Sequence, residues 1–142
     1  MIGIIVTGHG NFATGISSSV QLIAGLPENY EMVDFNEGDS VDDLESKLEE
    51  AIANLKTCSG ILIFSDLVGG SPFKSSVEIA LKHNHIMVLS GTNVGMLLEA
   101  VMSRSYIDEM DALCNECIEA GNSQVLKYEY KERVETESEE GI

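Results

Sequence analysis

Thr7-Gly8-His9-Gly10 follows directly on Ile2–Val6, an apolar, mostly β-branched run, so a buried strand is expected to end in a histidine held between two glycines. Glycines on both sides let the backbone turn sharply and leave the ring uncovered. An imidazole is partly neutral at cellular pH and can act as base, ligand or nucleophile. A second equipped stretch is Asp66-Leu67-Val68-Gly69-Gly70-Ser71-Pro72. Gly69 and Gly70 permit main-chain N–H groups to turn inward, and Ser71 brings a hydroxyl to the start of a helix. The free N–H groups at such a helix end, with the dipole behind them, attract a phosphoryl group or another anion. Taken singly, His9 suits packing in a turn, Asp66 capping of a loop, and Gly-Gly-Ser-Pro a tight turn. Together they describe phosphoryl capture on nitrogen. Asp66 accepts a hydrogen bond from one ring nitrogen, the other presents its lone pair, and Ser71 with the loop amides of Gly69 and Gly70 holds the phosphoryl oxygens. In-line transfer depends mainly on positioning and charge stabilisation, so neither a metal nor a cofactor is required.

The elements that must position these residues alternate strand and helix. A helix is expected over about Phe12–Ala24, where Phe12, Ile16, Val20 and Ile23 recur at helical spacing. A strand follows at Tyr30–Phe35. Ser40 suits an N-cap with Asp43 as its capping-box partner, and an apolar stripe from Val41 carries that helix to about Lys56. Gly60–Ser65 suits a central strand buried on both faces. Ser71 as N-cap and Pro72 at the first helical position start a helix to about Lys82. His85–Leu89 is a fourth strand, and Val94–Ser103 and Tyr106–Ala120 are helices, the latter stopped by Gly121. Gln124–Lys131 alternates apolar and charged residues, as an edge strand with one wet face does, antiparallel or paired with another subunit. The fold class is therefore α/β, doubly wound, with a mostly parallel sheet of order 2-1-3-4 and a C-terminal edge strand. In that order the switch point lies between strands one and three, which puts His9 and Asp66 on opposite lips of one crevice.

Bulk properties agree with one domain over residues 1–131, followed by an acidic, polar tail over 132–142 expected to fray. The 24 Asp and Glu against 8 Lys and Arg give a formal net charge of −16, which disfavours nucleic acid and anionic lipid and suits a basic protein partner. No apolar run suffices for a membrane span, no signal peptide leads the chain, and an odd count of 3 cysteines argues against a disulfide framework. A reduced, cytoplasmic protein is expected.

Three blocks carry a family resemblance: Gly8-His9-Gly10-Asn11-Phe12-Ala13-Thr14-Gly15-Ile16, then Asp66 to Phe73, then Gly91-Thr92-Asn93-Val94-Gly95-Met96-Leu97-Leu98-Glu99. They resemble the signature blocks of the IIA components of the mannose/fructose/sorbose/N-acetylgalactosamine class of the bacterial phosphoenolpyruvate-dependent sugar phosphotransferase system. The likeness runs from Met1 to about Lys131. It implies a dimeric protein that accepts a phosphoryl group from phospho-HPr on His9 and passes it to a histidine of a separate IIB component. Membrane IIC and IID components are then served indirectly. By the same match Asp66 orients His9 and Ser71 touches the phosphoryl group, while the last strand is exchanged between subunits. Val68 stands where the family commonly has an aromatic, Lys74 where asparagine is usual and Gly95 where proline is frequent. A branch of the family that serves dihydroxyacetone kinase resembles this chain less around the histidine.

Other constellations compete poorly. Cys114-Asn115-Glu116-Cys117 falls within a helix, away from the helix start that stabilises a reactive thiolate, and suits packing beside Leu113 and Ile118. His83 and His85 enter strand four at the end away from the crevice, and Met96, Met102 and Met110 suit core or dimer packing. Two further readings of His9 and Asp66 are a regulatory anion-binding module and a metal hydrolase, the latter short of a third ligand.

Overall fold

The computed structural model describes residues 1–132; the acidic tail expected at 132–142 lies, from residue 133 on, outside the described residues. Among the described residues, strands and helices alternate up to a final pair of helices: β1 (Ile2–His9), α1 (Phe12–Ala24), β2 (Tyr30–Phe35), α2 (Val41–Asn54), β3 (Gly60–Ser65), α3 (Ser71–Ala80), β4 (Ile86–Leu89), α4 (Val94–Ser103) and α5 (Met110–Ser123). The four strands form one parallel sheet in the order β2-β1-β3-β4. Strands buried on both faces alternate between two cores. Ile2, Ile4 and Val6 of β1, with Leu62 and Phe64 of β3, pack under Val20, Leu97, Ala100 and Leu113 of α1, α4 and α5. Ile5, Val33, Ile61 and Ile63 face the other way, against Leu44, Leu48 and Ile52 of α2 and Ile79 of α3. This two-sided burial is what parallel strands require.

Local chemistry sets most boundaries. The Ser40 hydroxyl accepts from the Asp43 N–H at 3.0 Å while the Asp43 carboxylate accepts from the Ser40 N–H at 2.9 Å, a complete capping box for α2. Asn93 caps α4 by accepting from the Met96 N–H at 3.0 Å, and donates to the Gly121 carbonyl at 3.0 Å. Arg104, just past α4, is buried and donates to the carbonyls of Ile2 (2.9 Å), Asn29 (3.2 Å) and Glu28, tying the starts of β1 and β2 together.

The structure departs from the sequence expectation in several places. β1 runs on through Gly8 and His9, because both pair with β2, opposite Asp34 and Phe35. Only Gly10 makes the turn, at φ +58°; Gly8 is needed because a Cβ there would meet the Phe12 ring at 2.5 Å. The N-cap of α3 is Gly70, so Ser71 is the first helical residue and Pro72 the second. α5 begins at Met110, where Glu109 accepts from the N–H groups of Asp111 and Ala112 at 3.2 and 2.9 Å. The turn before it is held by Tyr106 and Ile107 donating back to the Ser103 carbonyl at 3.0 and 2.8 Å. Gly121 does not stop α5 but lies inside it, where a Cβ would come within 2.3 Å of Met96 Cγ. Gln124–Lys131 forms no strand in the single chain; Val125, Leu126, Tyr128 and Tyr130 stand exposed. Alternation supplies a face for pairing but not the neighbouring edge that its N–H and C=O groups need.

Candidate functional site

His9 ends β1, Asp66 follows β3, and the two strands are neighbours, so the crevice between their carboxyl ends brings the two side chains into contact. One carboxylate oxygen of Asp66 accepts twice from His9: from its main-chain N–H at 2.9 Å and from ring Nδ1 at 2.6 Å. The other oxygen accepts from the Leu67 N–H at 2.9 Å. Burial alone would push the Asp66 pKa up. The hydrogen bonds from the His9 N–H, the His9 ring and the Leu67 N–H outweigh it and hold the carboxyl below its ordinary value. An ionised carboxylate only accepts, so Nδ1 carries the proton and Nε2 carries the lone pair.

The Cε1–Nε2 edge of the ring lies against the start of α3. A Cβ at Gly70 would sit 2.6 Å from His9 Cε1 and 3.0 Å from Nε2, so the imidazole packs directly on the N-cap residue of that helix. No side chain caps this end, which leaves N–H groups available, and Ser71 stands half-buried in the first turn. The ring itself is half-exposed, at 48%. A ring nitrogen with a lone pair thus lies beside a helix terminus suited to an anion.

Sequence reasoning missed several supports. Phe35 packs edge-on against His9, with ring centroids 6.1 Å apart and planes at 62°. Its carbonyl accepts from the Gly10 N–H at 2.8 Å. Asp34 ties α1 to β2 by accepting from the Thr14 N–H at 3.1 Å and the Thr14 hydroxyl at 2.7 Å. The strand order 2-1-3-4 was the signal for these contacts, since it seats the end of β2 beside His9. Thr92, from the third sequence block, donates its hydroxyl to the Ser65 carbonyl at 2.7 Å and so fixes the end of β3 just before Asp66. The Thr7 hydroxyl is buried with no partner among the described residues; no sequence pattern marks it.

The other constellations stay apart from this site. Cys114 and Cys117 are buried in α5, and burial pushes their thiols up to about 11 and about 12, the reverse of a reactive pair. His83 faces Glu49 at 3.2 Å at the far end of the sheet. Met96 is core, Met110 packs against Gly60 and Met102 is exposed. Among the described residues no group of three or more His, Cys, Asp or Glu could hold a metal ion, and no helix is long and apolar enough to cross a membrane.

A doubly wound α/β domain with a histidine–aspartate pair over an uncapped helix start has the construction of a phosphoryl-handling protein. The model of the PTS system fructose IIA component family matches residues 3–118, and the chain belongs to that family. The chain is 32% identical over 124 residues to the PTS system mannose-specific EIIAB component of Escherichia coli (strain K12), of which it spans only 38%. It is 26% identical over 140 residues to the PTS system fructose-specific EIIA component of Bacillus subtilis (strain 168), across 99% of this chain and 96% of that one. Among solved structures, phosphotransferase system component EIIA from Streptococcus agalactiae matches with a TM-score of 0.83 and 37% identity, over 89% of this chain and 97% of that one. The mannose/sorbose specific IIA subunit from Enterococcus faecalis matches with a TM-score of 0.80 and 25% identity, over 93% and 98%. The four-stranded parallel sheet in the order 2-1-3-4 is the fold shared with these IIA structures.

Proposed function

We propose that the chain is a cytoplasmic phosphocarrier, residues 1–131 forming one IIA domain whose His9 Nε2 takes a phosphoryl group from phospho-HPr and gives it to a IIB component during sugar uptake. The observation that carries this reading is the 2.6 Å contact between His9 Nδ1 and Asp66, which leaves Nε2 as the nucleophile. Asp66 holds the ring and stabilises the charge that ring acquires. Ser71, with the amides at Gly69 and Gly70, receives the phosphoryl oxygens. Relatives carry the names of mannose, fructose and sorbose alike, so membership of the family does not fix the sugar. The exposed apolar residues of Gln124–Lys131 favour a homodimer in which that segment pairs with a second copy.

Incubation with phosphoenolpyruvate, enzyme I and HPr, read by intact mass and acid lability, tests the assignment. One acid-labile phosphoryl group is expected on the native chain and none on His9→Ala. Full labelling of His9→Ala, or no labelling of the native chain by an active donor mixture, would overturn it.

A further inference from the structure

We propose that Lys74 is the cation of this crevice, its ammonium folding back over Gly70 to hold the phosphoryl group as it arrives at and leaves His9. The proposal rests on the phosphocarrier reading above and deepens it. Gly70 and Lys74 are one helical turn apart, and the Lys74 N–H donates to the Gly70 carbonyl at 2.9 Å. Residues so spaced share a face, and a helical side chain leans toward the helix start, over the turn that precedes it. The residue in that preceding turn is the side-chain-free Gly70, on which the His9 ring packs. The exposed Lys74 stem therefore leans toward the turn on which the His9 ring rests.

Charge supports the same placement. The ion pairs among the described residues are His9–Asp66, Lys47–Asp39 and His83–Glu49, and Lys74, though exposed, is in none of them. A cation near a helix start opposes the helix dipole, a position that favours an anion instead. Of the other cations among the described residues, Arg104 is buried, Lys47 is paired, Lys56 and Lys82 follow the carboxyl ends of α2 and α3, and Lys127 and Lys131 lie beyond α5. Transfer forms a bond from phosphorus to Nε2 while the donor's bond to phosphorus breaks, and the donor atom keeps that electron pair. The Nδ1 proton stays between the ring and Asp66, so no proton leaves. The group thus brings its full negative charge into a chain whose formal net charge is already −16. A cation within reach lowers the barrier to that approach.

The test compares native protein, Lys74→Gln and Lys74→Arg, with phospho-HPr and with phosphoramidate, a small donor that needs no docking surface. Lys74→Gln is expected to accept phosphate from both donors about three- to tenfold more slowly, with a weaker dependence on salt, and Lys74→Arg to recover most of the rate. Equal rates for Lys74→Gln and native protein would overturn the role of Lys74 and leave His9 as acceptor. Slowing with phospho-HPr alone would overturn it too, since Lys74 would then serve docking. A native chain that takes label from neither donor would overturn the phosphocarrier reading and this proposal with it.

Discussion

At the amino end of the sheet the polar groups are committed to one another. Arg104 lies buried with its guanidinium on the carbonyls of Ile2, Asn29 and Glu28, and Met110 closes over Gly60. Burial draws the Arg104 pKa down, while Cys58, Glu28 and Tyr30 work against that shift. The carboxyl end has the opposite construction. There Nε2 of a half-exposed His9 is open, α3 begins with no side-chain cap, and the Thr7 hydroxyl is buried without a partner. One sheet thus carries a satisfied end that holds the fold and an end with open polar groups, where the proposed phosphoryl site lies. Groups left unpaired cost stability, and they persist where binding or chemistry uses them.

The contrast breaks most sharply at Arg104. Arg104→Ala removes a buried guanidinium from one buried and two part-buried carbonyls and should cost about 3 kcal/mol in denaturant melts, while the folded fraction still accepts phosphate at the native rate. At the other end, Asp66→Asn should slow phosphoryl acceptance about a hundredfold. Its amide can donate to Nδ1, which shifts the ring proton to Nε2 and removes the nucleophilic lone pair. Asp66 is held below its ordinary value in the folded chain, so on acidification the unfolded chain takes up this proton first. The stability it contributes is whole above about pH 4 and is lost as pH falls through the lower folded value. Urea midpoints measured down to about pH 3 should therefore fall less steeply in Asp66→Asn. Gly70→Ala places a methyl 2.6 Å from His9 Cε1 at an ordinary φ of −77°. It should slow labelling about tenfold with little change in melting, because the ring and not the backbone is displaced. The smallest effect has the opposite sign. Thr7→Val removes an unpaired buried hydroxyl at near-constant shape and should raise stability by about 1 kcal/mol.

The crevice was legible because its residues sit at strand ends whose order follows from the βα alternation. Ile2–Val6 and Gly60–Ser65 are near-continuous apolar runs, and the topology then seats His9 beside Asp66. The length of β1 was not legible: glycine is a poor strand former, and only pairing with Asp34 and Phe35 carries the strand on to His9. Gly121 misled because a glycine late in a helix ordinarily marks its end, whereas here it makes room for Met96. Lys74 stood out in the sequence only as a departure from the family pattern, since only the packing of His9 on Gly70 gives its position meaning.

The His9–Asp66 clamp joins residues 57 apart in the chain, and a single carboxylate oxygen grips both the main chain and the ring of the histidine. Neither half of that grip exists until β1 and β3 lie side by side in register. If His9 is the phosphoryl acceptor, a nascent, misregistered or partly unfolded chain presents only an undirected imidazole to its donor. The rate of labelling would then report on closure of the sheet as well as on the chemistry of the ring.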